Sequence, residues 1–234
     1  MKKNFVIIHY NTPILTSCLV NSINKFVIDP VIYIFDNSDY LPYKGDMKNV
    51  IIIDNTKGDY IDFDKWLERY KRKNISTGKN NKWASAKHCY SIEVCMNLIK
   101  DNFILLDSDV LLKKDLSDLF SENEIFVGEI ENQPSSAIKR VLPFMCYINY
   151  NMCKKYGISY FNEDYMHGLY NNSIVKTADL YDTGAGFYLF AKQYNYKSIK
   201  LSDYIVHYGH GSWNKANSTK RITQEEWLNI NKTQ

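Results

Sequence analysis

Phe103-Ile-Leu-Leu-Asp107-Ser-Asp109-Val-Leu-Leu112 sets two carboxylates one residue apart, between apolar runs on both sides. Phe103 to Leu106 is the short, unbroken apolar run of a strand buried on both faces. Asp is almost never fully buried unless it is paired or holds a metal, so the acidic triplet conflicts with its surroundings. A hard divalent cation resolves the conflict: carboxylate oxygens suit Mg²⁺ or Mn²⁺, and Mg²⁺ leaves coordination positions free for substrate phosphates. The competing reading of an isolated Asp-x-Asp is a solvated turn after a buried strand. The surrounding pattern has to decide between them.

Upstream, short apolar runs alternate with helical patterns. Phe5 to Ile8 reads as a strand, and Asn11-Thr12-Pro13 opens a helix to about Phe26, with Thr12 as N-cap and Pro13 at the first helical position. Val31 to Phe35 is a second strand, ending in the turn-forming Asp36-Asn37-Ser38-Asp39, and Val50 to Ile53 a third. Helices follow at about Asp64 to Lys73 and at Ser85 to Ile99, the latter with Ala86, Cys89, Met96 and Ile99 at helical spacing. Strands alternating with helices predict an α/β fold: a mainly parallel sheet flanked by helices, its ligand crevice at the carboxyl ends of the strands. Asn11, Asp36 and Asp107 each lie just past such an end. That convergence raises Asp-Ser-Asp above a chance turn.

Downstream the pattern is less regular. We expect a helix at Leu116 to Phe120, a strand at Ile125 to Gly128, a mobile loop over Glu131 to Pro143, and strands at Tyr147 to Met152 and Gly186 to Phe190. No repeat or linker separates two autonomous units. The expected organisation is one domain, with residues 1–112 as its ligand-binding half and 113–234 as its less regular remainder.

The totals bound the function classes. A chain of 234 residues can bury a large core, and 45% hydrophobic with 24% charged residues is ordinary for a globular protein. A net charge of +3, with Lys and Arg spread along the chain, argues against nucleic acid as partner. One local excess, Arg69 to Lys87, holds seven basic residues and no acidic one. It suits phosphates or an anionic membrane surface, and equally a solvated loop. Five cysteines without a Cys-x-x-Cys pair point away from a disulfide framework and a zinc knuckle. The N-terminus lacks a long apolar segment with a cleavage site, and no stretch approaches the ~18 apolar residues of a membrane span. The expectation is a cytoplasmic protein, with peripheral membrane contact as an open option.

Several segments together resemble the nucleotide-sugar-dependent glycosyltransferases of the GT-A fold. Val6-Ile-Ile-His-Tyr-Asn-Thr-Pro13, Cys18-Leu-Val-Asn-Ser-Ile23 and Ile34-Phe-Asp-Asn-Ser38 look like the opening of family 2 enzymes, and Phe103 to Val110 like their D-x-D segment. Leu111-Leu-Lys-Lys-Asp-Leu-Ser-Asp-Leu-Phe120, after the acidic triplet, also looks like the retaining family 8 enzymes. The resemblance covers residues 5 to 112 and thins beyond them. It implies a Rossmann-like sheet with a C-terminal acceptor region, and transfer of a sugar from a nucleotide diphosphate donor, with UDP favoured, to a glycan or lipid-linked acceptor. Bacterial surface polysaccharide assembly is the setting it suggests.

The same likeness implies roles for particular residues. Tyr10, Asn11 and Thr12 would line the nucleotide pocket, and Asp36 would accept the imide N–H of a uracil-type base. Lys87 or His88 would meet the diphosphate from a helix N-terminus. Asp107, Ser108 and Asp109 would hold Mn²⁺ or Mg²⁺ against that diphosphate. A C-terminal His often completes such a site, and Ile205-Val-His-Tyr-Gly-His-Gly211 offers His207 first and His210 second. For inversion, the favoured stereochemistry, a carboxylate must take the acceptor proton: Asp182 in the Asp-Thr-Gly turn, or Asp164 in Asn-Glu-Asp-Tyr. Two other classes share these features. A sugar-1-phosphate nucleotidyltransferase is disfavoured because His9-Tyr-Asn-Thr-Pro13 stands where a Gly-rich phosphate loop belongs, and a non-catalytic nucleotide or glycan binder requires turnover data to exclude.

Overall fold

A computed structural model of the chain describes residues 2–65, 68, 82–132, 139–162, 182–208 and 224–231. Its strands are β1 (Lys3–His9), β2 (Pro30–Asp36), β3 (Val50–Asp54), β4 (Phe103–Asp107), β5 (Val110–Leu112), β6 (Phe126–Asn132), β7 (Lys139–Ile148), β8 (Lys197–Ser198) and β9 (Ile205–His207). Its helices are α1 (Pro13–Phe26), α2 (Lys82–Ile99), α3 (Tyr150–Tyr156), α4 (Ala185–Ala191) and α5 (Gln224–Asn231).

Seven strands form one sheet in the order β3-β2-β1-β4-β7-β6-β8, and β5 pairs with β9 in a second, small sheet. The first four neighbours run parallel; β7 enters antiparallel to both β4 and β6. The result is the mostly parallel α/β sheet that the sequence predicts. The apolar runs of β1 and β4 are continuous because both faces are covered. Val6, Ile8, Phe103 and Leu105 face one core, closed by Ala86, Cys89, Ile92, Cys95 and Met96 of α2. Phe5, Ile7, Ile104 and Leu106 face the other, closed by Leu19, Val20 and Ile23 of α1. Burying a side chain of this size contributes roughly 1.5–3 kcal/mol.

Five readings are corrected. Thr12 stands at the N-cap position of α1, with Pro13 after it, yet makes no side-chain cap; its hydroxyl instead bonds the Ser108 hydroxyl at 2.9 Å. The expected loop over Glu131 to Pro143 is, in its described part, the end of β6 and the start of β7. Pro143 misled the reading, because it sits beyond the last β4 partner, Met145, and beside the register shift at Gly128/Ile130, where a missing N–H breaks no ladder bond. The strand expected over Tyr147 to Met152 stops at Ile148, where Asn149 caps α3 by accepting from the Met152 N–H at 3.1 Å. Gly186 to Phe190 is helical, within α4, and Leu116 to Phe120 is only a 3₁₀ turn at Ser117–Leu119. The helix expected over Asp64 to Lys73 lies almost wholly outside the described residues. Among the described residues no helix is long and apolar enough to cross a membrane.

Gly184 explains why α4 forms where a strand was expected. Its φ of +84° reverses the chain into the helix, and a Cβ there would stand 2.0 Å from the Val141 carbonyl oxygen of β7. Backbone therefore packs on backbone, tied by the Val141 N–H to the Gly184 carbonyl at 3.4 Å. Replacing Gly184 by Ala forces both a disfavoured φ and a shift of β7. The expected cost is about 3 kcal/mol or more, a fall in Tm of about 6–12 °C in a thermal melt.

Candidate active site

Parallel register brings the acidic candidates to one rim. His9 at the end of β1 is level with Asp36 at the end of β2, and Ile8 is level with Asp107 at the end of β4. The chain turns at Ser108 and Asp109 into β5, whose Val110 pairs with His207 of β9. That pairing carries His207 from the far end of the sequence to Asp109, with Nε2 at 3.3 Å from the carboxylate. The Tyr208 N–H donates to the Asp109 carbonyl at 2.9 Å and holds the register. Phe144, on the part of β7 that runs past β4, stacks on the imidazole with ring centroids 3.9 Å apart. Each of Asp107, Asp109 and His207 offers a ligand atom, and these atoms lie within 4.8 Å of one another.

The electrostatics match a site built for a cation. Burial pushes the Asp107 carboxyl up; the Asp109 charge adds to that, while His88, His207 and Arg140 work against it without cancelling it. Burial opposes a charged His207, but the hydrogen bond that its Nε2–H donates to Asp109 and the charges of both acids outweigh it and raise the imidazole. Two half-desolvated carboxylates are thus balanced by protons on the site or by positive neighbours. Two carboxylate oxygens and one imidazole nitrogen can hold a divalent cation of the Mg²⁺ or Mn²⁺ type, so the donor set fits one. From α2, His88 rather than Lys87 meets this group: its Nε2 is 3.3 Å from Asp107, whereas Lys87 lies over the Phe63 ring at 4.8 Å.

The loop residues beside it form a second cluster. Asn11, at φ +54°, accepts the Tyr40 and Leu41 N–H groups and donates its own N–H to Ser38. Tyr10 is partly exposed, and its hydroxyl donates to Asp39. Asp36 is only 1% exposed, and its two oxygens accept the Ser38 N–H at 2.9 Å and the Tyr43 N–H at 2.7 Å. It thereby acts as the template on which residues 37–43 fold, and a base could reach its carboxylate only if that loop rearranged. Beneath it, buried His9 bonds Thr16 at 2.7 Å and the Leu41 carbonyl at 3.2 Å, and burial holds it below the usual imidazole range despite nearby Asp36.

Asp182 stands in the turn before α4, where its carboxylate accepts from Arg140 and from the Thr183 N–H. Asp164 and His210 lie outside the described residues. Arg140 and Glu131 have no place in the sequence reading, which assigned their segment to a loop. The signal that could have found them is the β-branched and apolar run Val141 to Ile148, which continues the strand directly beyond Arg140.

No known protein-family model matches the chain, and no curated protein sequence matches it. Solved structures do. The galactosyltransferase LgtC, in complex with donor and acceptor sugar analogues, superposes with a TM-score of 0.50 at 11% identity, over 85% of this chain and 73% of that one. Mouse xyloside xylosyltransferase 1 gives 0.50 at 11% identity, over 86% of each chain. The glycosyltransferase GlyE of Streptococcus pneumoniae TIGR4 gives 0.47 at 13% identity, and the chain spans only 46% of its length. The fold is that of the GT-A glycosyltransferases.

The raised imidazole has a testable consequence. A His raised in the folded chain keeps a proton that the unfolded chain releases near pH 6.5, so its stabilisation is complete below that value and lost as pH rises through the folded one. In the presence of a chelator, the Tm gap between wild type and His207→Gln should be largest at or below about pH 6.5 and shrink toward about pH 9. A gap that widens with pH would contradict the Asp109 pairing.

Proposed function

We propose that the chain is a metal-dependent glycosyltransferase, moving a sugar from a nucleotide diphosphate donor, with UDP as the nucleotide, to a glycan or lipid-linked acceptor of a bacterial surface polysaccharide. The observation that carries this reading is the meeting of Asp107, Asp109 and His207 at the carboxyl rim of a GT-A sheet. Their side chains would hold Mn²⁺ or Mg²⁺. When bound, such a cation neutralises the charge that grows on the departing nucleoside diphosphate. Residues 1–112 supply the donor half of the site and 113–234 the acceptor half.

The protein's own groups divide the remaining work. Thr12 and Ser108, joined by their hydroxyls, tie the first loop to the acidic turn, so nucleotide and cation sites keep one geometry. Tyr10, Asn11 and the loop templated by Asp36 border the nucleotide, and His88 stands beside Asp107 on the helix side. In transfer with inversion, the acceptor oxygen bonds to the anomeric carbon as that carbon's bond to the diphosphate oxygen breaks. The acceptor proton passes to a carboxylate, Asp182 first and Asp164 second.

Two measurements test this. A thermal-shift panel of nucleoside diphosphates should give a UDP shift that requires Mn²⁺, since a ligand of the native state raises apparent stability by mass action; a larger shift for GDP would overturn the choice of base. Asp109→Ala, or EDTA, should lower sugar transfer by about 100-fold or more, the scale on which electrostatic stabilisation of a transition state is lost. Transfer that survives both would remove the metal from the mechanism.

A further inference from the structure

We propose that Arg140 is a positioning residue of the transfer reaction: anchored on Glu131, its guanidinium fixes the direction of the Asp182 carboxylate. The inference rests on the functional reading above and adds two residues to it.

The arrangement follows from the sheet. Glu131 of β6 and Arg140 of β7 are direct cross-strand partners, and Glu131 Oε1 accepts from both Nε, at 2.9 Å, and Nη2, at 2.6 Å. One edge of the guanidinium is thereby occupied, and Nη1 is left pointing at Asp182. A guanidinium is a planar fork, so two fixed bonds determine where the third donor lies. Asp182 is constrained from its own side as well: its other oxygen accepts the Thr183 N–H at 2.7 Å, and Gly184 clamps the turn onto Val141, the residue after Arg140. The carboxylate has almost no freedom left.

Exposure separates this array from an ordinary surface bridge. The Arg140 side chain is 12% exposed, whereas Glu131 and Asp182 are 37% and 36% exposed. The cation is the hidden member, and the carboxylates still offer oxygens to solvent. The positive charge also reaches Asp107, where it opposes the effect of burial. Arg140 therefore acts on Asp107 through its charge and on the carboxylate assigned to the acceptor proton through a defined bond.

The test is a double-mutant cycle on whichever nucleotide sugar the wild-type chain turns over in a donor panel. Arg140→Met and Asp182→Asn should each lower kcat by about 10- to 100-fold, the range expected when a reacting group is misplaced by about 1 Å. The double variant should be no slower than Asp182→Asn, because Arg140 acts only through that carboxylate. Arg140→Lys, which keeps the charge and loses the fork, should fall between wild type and Arg140→Met. Donor KM and the Mn²⁺-dependent UDP thermal shift should stay within about threefold and about 2 °C of wild type, readouts that a general loss of structure would move. Should Arg140→Met fail to fold, Glu131→Gln replaces it in the cycle, with a smaller loss of kcat and the same lack of additivity. Effects that multiply, or a rise in donor KM at unchanged kcat, would overturn the proposal and make Arg140 a direct ligand of the donor. A wild-type chain that turns over no donor fails at the functional reading instead, before any variant is compared.

Discussion

Two carboxylates held close together, partly out of water, at the end of a buried strand are the constraint around which the upper rim of this molecule is organised. Asp107 and Asp109 repel each other and lose solvation together, so their surroundings must supply positive charge. His207 stands 3.3 Å from Asp109 and His88 3.3 Å from Asp107, and Arg140 acts from β7. These three come from three separate elements, and none is near the triplet in sequence. The small β5–β9 sheet, a minor feature of the fold, earns its significance by setting His207 in register with Val110.

The sheet makes the geometry durable. Residues of β1 and β4 bury both faces between α1 and α2, so the strands that end at the rim cannot slide without exposing a core. The adjustable parts are then the loops, and here too the packing is specific. Asp36 holds the loop after β2 by two backbone bonds, and Gly184 locks the turn after Asp182 onto β7. Both segments read from sequence as turns. Both prove to be built against backbone, which is the reason their carboxylates have fixed directions.

Much of residues 1–112 was legible because local signals and the global fold agree there. Phe5 to Ile8, Val31 to Phe35 and Phe103 to Leu106 are unbroken apolar runs, a pattern suited to strands covered on both sides. His207, offered as a third metal ligand on the strength of an apolar strand before it, stands 3.3 Å from Asp109 in the fold. Residues 113–234 were less legible because single residues pointed the wrong way. Pro143 suggested a loop, although it falls at a bulge where β7 outruns β4. Ala185 to Ala191 carried an apolar run that suits strand or helix, and only the backbone of Val141 pressing on Gly184 decides for the helix.

The sequence by itself determined the order of elements in residues 3–107, the carboxyl rim as the place where Asp36 and Asp107 end their strands, and Asp-Ser-Asp as the anomaly to be explained. These follow from hydrophobic periodicity and from the cost of burying charge, both of which act over a few neighbouring residues. Only the tertiary structure decided that Asp36 serves its own loop, that His88 rather than Lys87 faces Asp107, and that Glu131, Arg140 and Asp182 form one array. Each of these depends on where the strands β6, β7 and β9 lie beside others far away in the chain, and the direction of a side chain across such a distance is set by register and packing that no local pattern encodes.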